Sequence, residues 1–253
     1  MPQKSATIDG VLLNYRDVGN GLPVVLLHGW GSEISSFSRL ERDLSAGFRV
    51  ISLDLPGFGS SAAPPGAWSL FDYCHLVEHF LKFLNLAHPV LIGHSFGGRI
   101  SIVLGSRGIA GKLILVNSAG VPSKKSLIYY CKVYCYKSAK FCLRILPAQL
   151  QARLLERLQQ QFGSSDYRNA APLLRQILVK VVNEDLSPLL PQIKVPTLLM
   201  WGDSDQTTPL YQAKIMEKRI PDSGLVVLKN AGHYCYLDKP QEFYTIVNHF
   251  LSH

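Results

Sequence analysis

Val90-Leu91-Ile92-Gly93-His94-Ser95-Phe96-Gly97-Gly98 takes the chain out of one buried element and straight into another. The apolar run Pro89 to Ile92 predicts a fully buried strand, and Ile100 to Leu104 predicts a buried helix packed on it. Between them the chain must reverse within about five residues, which forces Ser95 into a strained turn. Gly93 and Gly97 answer to that turn, because a side chain two positions either side of Ser95 would collide across it. The serine hydroxyl is then held clear of a sheet edge, at the head of a helix whose free N–H groups favour developing negative charge. A weakly acidic alcohol becomes a nucleophile in such a place. An ordinary strand-to-helix turn with a surface serine carries the same pattern, so the rest of the chain decides between the two.

With 253 residues, 47% hydrophobic and 17% charged, the chain fits one large α/β domain or a core with one inserted subdomain. No stretch approaches the ~18 uninterrupted apolar residues of a membrane span. Met1 to Thr7 lacks the apolar core of a secretory signal. Five cysteines, an odd number, argue for a reducing compartment over a disulfide framework, and a cytoplasmic location is expected. Cys131, Cys135 and Cys142 fall on one face of a predicted helix with no histidine or acidic group at ligand spacing. They are expected as small apolar packing residues.

The formal net charge of +8 is concentrated in one segment. From Val121 to Leu190 eleven basic residues stand against four acidic ones (Glu156, Asp166, Glu184, Asp185), and the rest of the chain is nearly neutral. The charge is thus a local property, and no nucleic-acid partner is expected.

Outward from the serine turn, strands and helices alternate. Ala6 to Asp9 and Val11 to Asp17, split by Asp9-Gly10, predict an antiparallel hairpin. Buried strands are expected at Pro23–Leu27, Phe48–Leu53, Lys112–Asn117, Pro196–Trp201 and Leu225–Lys229. Helices are expected at Ser35–Leu44, Leu70–Leu86, Leu210–Arg219 and Gln241–Leu251, the second with Leu70, Cys74, Val77, Leu81 and Leu84 on its buried stripe. This pattern specifies an α/β fold: a mostly parallel twisted sheet of about eight strands, helices on both faces and an antiparallel edge. Val121 to Pro191 breaks the alternation with helical stretches at Ser126–Ile145, Ala148–Gln161 and Ala171–Val182. So long a helical run between two strands predicts a cap, residues 121–190, inserted into a core of 1–120 and 191–253, over the strand ends where ligands bind.

A nucleophilic serine needs a base, and the base an orienting acid. Among eight histidines, His28 is expected to brace the turn after the first buried strand, and His94 to point to the far side of the serine turn. His88, His249 and His253 lie at element ends with nothing around them to suggest a site. His233, in Asn230-Ala231-Gly232-His233-Tyr234 just past the last strand, comes to the same sheet edge as Ser95. For the acid, Trp201-Gly202-Asp203-Ser204-Asp205-Gln206-Thr207-Thr208-Pro209 ends at that edge too. Asp205 is the choice, since Asp203 is closer to the strand end and suited to support the turn. The chain order Ser95, Asp205, His233 is that of the hydrolase form of this triad. An oxyanion needs two preorganised backbone donors. The Phe96 amide supplies one, and Trp30, in the glycine-rich turn His28-Gly29-Trp30-Gly31, the other.

Taken together, the HGWG turn, the DLPGFGSS loop, the GHSFGG elbow, the GDSDQTTP acid loop and the AGH turn resemble the α/β-hydrolase family over essentially the whole chain. The resemblance implies Ser95 as nucleophile, His233 as general base, Asp205 as orienting acid and the Trp30 and Phe96 amides as the oxyanion hole. It implies no cofactor. Some relatives take the acid from the strand after the elbow helix, but here that strand ends in Asn117. Haloalkane dehalogenases and epoxide hydrolases of this fold carry aspartate where Ser95 stands. Carbon–carbon bond hydrolases usually carry tryptophan just after the histidine, and here Tyr234, Cys235 and Tyr236 follow. A small-molecule carboxylic ester, thioester or lactone is therefore the expected substrate class. A carbon–carbon hydrolase, a membrane-surface lipase or acyltransferase, and a non-catalytic small-molecule receptor are the alternatives.

Two features stand apart. His75-Leu76-Val77-Glu78-His79 matches the His-x-x-Glu-His pattern of inverted zinc proteases. Its histidines lie one turn apart, but no second carboxylate cluster is evident, and the pair falls beside the buried stripe toward solvent. An exposed helical face, without metal, is expected. In the cap, Tyr129, Tyr130, Tyr134, Tyr136, Phe141 and Phe162 alternate with lysines. They suit a pocket lid that attracts anionic or amphiphilic substrates, or peripheral contact with a lipid headgroup surface. The simpler expectation is that the aromatics pack inward and the lysines solvate the outside.

Overall fold

The computed structural model describes residues 3–124 and 164–253, with isolated positions between 134 and 154. β1 (Lys4–Ile8) and β2 (Val11–Val18) pair antiparallel across Asp9-Gly10, both at positive φ, as the two-residue hairpin turn demands. β2 pairs antiparallel with β4 (Arg49–Leu53). β3 (Pro23–Leu27), β5 (Val90–His94), β6 (Lys112–Val116), β7 (Thr197–Gly202) and β8 (Ser223–Leu228) continue the sheet in parallel. The result is one eight-stranded sheet in the order β1-β2-β4-β3-β5-β6-β7-β8.

Alternating side chains of the parallel strands feed two apolar layers. Val25 and Leu27 of β3 join the layer covered by α2 (Leu70–Phe83), α3 (Phe96–Ser106) and a later helix at Leu210–Arg219. Val24 and Leu26 face α1 (Ser38–Leu44) and the C-terminal helix Pro240–Ser252. Strand order reverses at β3, because β4 lies to one side of it and β5 to the other. The loops after β3 and β5 therefore diverge and leave a crevice at the carboxyl edge, the place where open α/β sheets bind ligands.

Of the helix boundaries that differ from expectation, two have a clear local reason. The stretch Ser35–Leu44 opens as a tight turn, Ile34–Phe37, before α1, because the Ile34 N–H is tied to the Asp54 carboxylate at 2.8 Å. α2 starts at a capping box of Ser69 and Asp72 and ends at Phe83 rather than Leu86, since Asn85 turns left-handed at φ 54°.

Of the expected cap, α4 (Ser165–Asn169) and α5 (Pro172–Asn183) are described, and a tight helical turn, Ser187–Gln192, follows them. Most of the stretches Ser126–Ile145 and Ala148–Gln161 lie outside the described residues, as do Tyr129, Tyr130, Tyr136, Phe162 and Cys131. Cys135 and Cys142 are exposed, not packed as expected, and Tyr134 and Phe141 are exposed beside them. Helical spacing aligns such residues on one face but does not bring a core to that face. α5 sits over the loop after β4: Leu174 closes on Gly57, whose φ of 87° and absent Cβ admit it. Lys180 Nζ donates to the Ala67 carbonyl. The buried Arg99 of α3 donates to the Glu184 and Val182 carbonyls at 2.8 and 3.3 Å, joining the helix behind Ser95 to the end of α5. Among the described residues no helix is long and apolar enough to cross a membrane.

Candidate active site

Ser95 stands between β5 and α3 at φ 49°, ψ −105°, the strain expected of a strand-to-helix elbow. Neighbouring backbone holds it there. The Ser95 N–H donates to the Val116 carbonyl at 3.1 Å, and its own carbonyl accepts from Ala119 at 3.2 Å. Glycine at 97 is obligatory, because a Cβ there would overlap the Leu27 carbonyl of β3. The Gly97 N–H donates to the His28 carbonyl at 3.1 Å, which locks the elbow to the turn after β3. Ser95 is partly exposed in this setting.

His28 and Asp54 build the other wall. The buried His28 ring accepts from the Leu55 N–H at Nε2 (3.0 Å), so Nδ1 carries the proton and donates to the Gly29 carbonyl (2.8 Å). Burial pushes its pKa down, which keeps it neutral. The bracing role expected of His28 is what these contacts describe. Asp54 accepts from Ile34, Asn14 and Ser60 at 2.7–2.9 Å and pins the DLPGFGSS loop in place. Trp30 is thereby set against Phe58 and Phe96, ring centroids 4.9 and 5.4 Å away, and Phe96 meets Tyr73 at 5.1 Å. Among the described residues, neither the Trp30 nor the Phe96 N–H has a protein acceptor.

Asp205 and His233 arrive from β7 and β8. Asp205 Oδ2 lies 2.9 Å from His233 Nδ1, 2.6 Å from Thr208 Oγ1 and 2.5 Å from Asn117 Nδ2. Its other oxygen accepts the Thr207 and Thr208 N–H groups at 2.7 and 3.0 Å. Burial alone would raise the Asp205 pKa, but the hydrogen bonds from His233 and Thr208 outweigh it and hold the group at about 2. The Asp205 side chain is fully buried and that of His233 is 16% exposed, so of the pair the imidazole alone reaches solvent. Asp203 instead stays at the surface with Ser204, in keeping with a turn-supporting role.

The five chosen residues therefore come from the ends of β3, β5, β7 and β8 to one edge. Asp205 and His233 are in direct contact, whereas no hydrogen bond joins Ser95 Oγ to His233 among the described residues. Such bonds commonly tighten only when substrate is in place.

His94 is expected on the far side of the serine turn, and there it lies buried against His233. Its Nε2–H donates to the His233 carbonyl at 2.9 Å, and the two rings are 4.8 Å apart. The physical reason is that its strand position directs the side chain under the β8 loop, beneath the imidazole. Burial, and then the neighbouring His233, push its pKa down to about 3, so it stays neutral. Thr208 and Asn117 were legible as a loop hydroxyl and a strand-end amide, but nothing in the spacing paired them with Asp205. α4 also reaches here: the Asp166 carboxylate is near enough to help raise the Tyr234 pKa after burial.

The model of the alpha/beta hydrolase family matches residues 24–246. Over 96% of this chain and 97% of the relative, the sequence is 29% identical to the AB hydrolase superfamily protein YisY of Bacillus subtilis. It is 27% identical to a 2-hydroxy-6-oxo-6-phenylhexa-2,4-dienoate hydrolase of Comamonas testosteroni, over 95% and 91% of the two chains. An esterase from Exiguobacterium antarcticum superposes with a TM-score of 0.76 at 27% identity, covering 98% of this chain and 99% of that one. A sheet reversing at β3, a strained serine at that reversal, and a family match spanning both give one conclusion: the chain belongs to the alpha/beta hydrolase family.

Proposed function

We propose that the protein is a serine hydrolase that cleaves a small-molecule carboxylic ester, thioester or lactone through an acyl-enzyme on Ser95. The observation that carries this reading is the pairing of a buried, charged Asp205 with His233 at the sheet edge that also carries Ser95 and the Trp30 and Phe96 amides, which have no protein acceptor among the described residues. In the proposed cycle Ser95 Oγ attacks the carbonyl carbon while His233 Nε2 takes its proton. Asp205 fixes Nδ1–H, so that Nε2 presents its lone pair, and stabilises the imidazolium that forms. The Trp30 and Phe96 amides hold the oxyanion. His233 then returns the proton to the departing alkoxide or thiolate, and water repeats the sequence in reverse to free the acid.

The aromatic wall of Trp30, Phe58 and Phe96 favours an apolar group next to the scissile carbonyl. Tyr234 follows the histidine where carbon–carbon hydrolases usually have tryptophan, which supports ester chemistry over that alternative. The test is a kinetic panel of esters, thioesters and lactones graded by acyl length and charge, with a vinylogous 1,5-diketone as the carbon–carbon arm. Ser95→Ala serves as the blank. We expect turnover in the acyl arms, reduced at least about 10³-fold in the variant. Turnover confined to the diketone, or an unchanged Ser95→Ala rate, would overturn the proposal.

A further inference from the structure

The hairpin turn between β1 and β2 comes against the solvent face of α2, and three metal-binding side chains meet there. Asp9, His75 and His79 each offer a ligand atom, and the three atoms lie within 4.8 Å of one another. His79 Nδ1 is 2.7 Å from Asp9 Oδ2, and the His75 and His79 rings are 4.0 Å apart. We propose that these residues form a site for a divalent transition metal of the zinc class, one that clips the hairpin to α2.

Three features favour that chemistry. The histidines stand at i and i+4 on one helix, the spacing that lets both imidazoles reach a single ion. The third ligand, a carboxylate, comes from a residue some seventy positions earlier in sequence, delivered by the fold. Its placement is not that of a loose loop. Asp9 sits at φ 48° in a two-residue turn whose flanks, Ile8 and Val11, are paired in the sheet. Two imidazoles and a carboxylate are borderline donors that suit Zn²⁺ or Co²⁺ better than the oxygen-seeking Mg²⁺ or Ca²⁺, with water completing the tetrahedron.

The remaining adjustment is small. Tetrahedral zinc at about 2.0–2.1 Å from each donor spaces ligand atoms roughly 3.3 Å apart. Asp9 and His79 must open slightly, and His75 must close. The ion displaces the Nδ1 proton that His79 now shares with Asp9. An ion pair of Asp9 with His79 uses two of the three side chains, whereas a metal uses all of them. Glu78, between the histidines, is turned to Lys82 and Arg107 at 2.7 and 3.6 Å and takes no part.

The experiment uses the whole chain after chelator treatment, titrated with Zn²⁺ by calorimetry and with Co²⁺ by absorbance, with Tm read at each step. We expect one tight equivalent, a Tm rise of about 3–6 °C at saturation, and cobalt bands of nitrogen and oxygen ligation without thiolate charge transfer. His75→Ala, which leaves the Asp9–His79 pair intact, should weaken binding at least about tenfold. Asp9→Asn should do the same, and ester turnover in His75→Ala should match wild type. Unchanged affinity in His75→Ala, a thiolate band from the exposed cysteines, or no saturable binding at about 100 µM Zn²⁺ would each overturn the site.

Discussion

Asp205 Oδ2 receives Nδ1 of His233, Oγ1 of Thr208 and Nδ2 of Asn117 within 2.9 Å. That convergence keeps a buried carboxylate charged, because each donor stabilises the ionised form that burial disfavours. Asn117 stands at φ 42°, where asparagine is one of the few non-glycine residues tolerated, and its Oδ1 is buried without a partner. Among the described residues the contribution of this strained strand-end side chain is thus through its amide nitrogen, on Asp205. Asn117→Ala is expected to lower kcat about tenfold, or ~1.4 kcal/mol, with KM nearly unchanged, because the bond orients the acid and not the substrate. A KM effect without a kcat effect in steady-state ester kinetics would place Asn117 in substrate binding instead. Thr208→Val, which removes a second donor from the same oxygen, is expected to act in the same direction.

At the scale of elements, the elbow works because β3, β5 and α3 approach more closely than side chains permit. Gly97→Ala would drive a methyl into the Leu27 carbonyl, a backbone atom fixed by pairing on both sides of β3. We expect a loss of about 3 kcal/mol or more in urea unfolding, or failure to fold. A stable Gly97→Ala protein would show that the elbow can relax. This close approach explains what was legible in sequence. Gly93, Gly97 and the apolar run before them announce the elbow, because steric demands at a turn are local and leave a local mark. The Asp9-Gly10 hairpin and Pro23–Leu27 were readable for the same reason. The contact of His94 with His233, the clamp on Asp205 and the meeting of Asp9 with His79 were not. Each depends on which loop a neighbouring strand sends overhead, and sheet order is not written within any one element. The exposure of Cys135 and Cys142 belongs with these: periodicity names a face, and only tertiary packing says what the face meets.

For the molecule as a whole, the buried histidines set the response to acid. His94 keeps its proton off until about pH 3, whereas the unfolded chain takes one up near 6.5. The unfolded state therefore binds more protons below pH ~6.5, so stability falls as pH drops through that value and levels off near 3. His28, pushed down by burial, adds in the same direction. Asp205, held at about 2, contributes stability that is complete above roughly pH 4 and lost only on descent toward 2. Unfolding free energy from urea titrations is expected to be roughly 2–4 kcal/mol lower at about pH 4 than at pH ~7. His94→Gln should flatten much of that slope, and an unaltered slope would refute the assignment to His94.

Covalent labelling tests most directly the proposal that Ser95 is a nucleophile activated through His233 and Asp205. The protein is incubated with a fluorophosphonate, its intact mass measured and the modified peptide sequenced. We predict one adduct per chain, on Ser95, forming at least about 10³-fold more slowly in His233→Ala. An adduct on another residue, or undiminished labelling of Ser95→Ala, would contradict that role for Ser95.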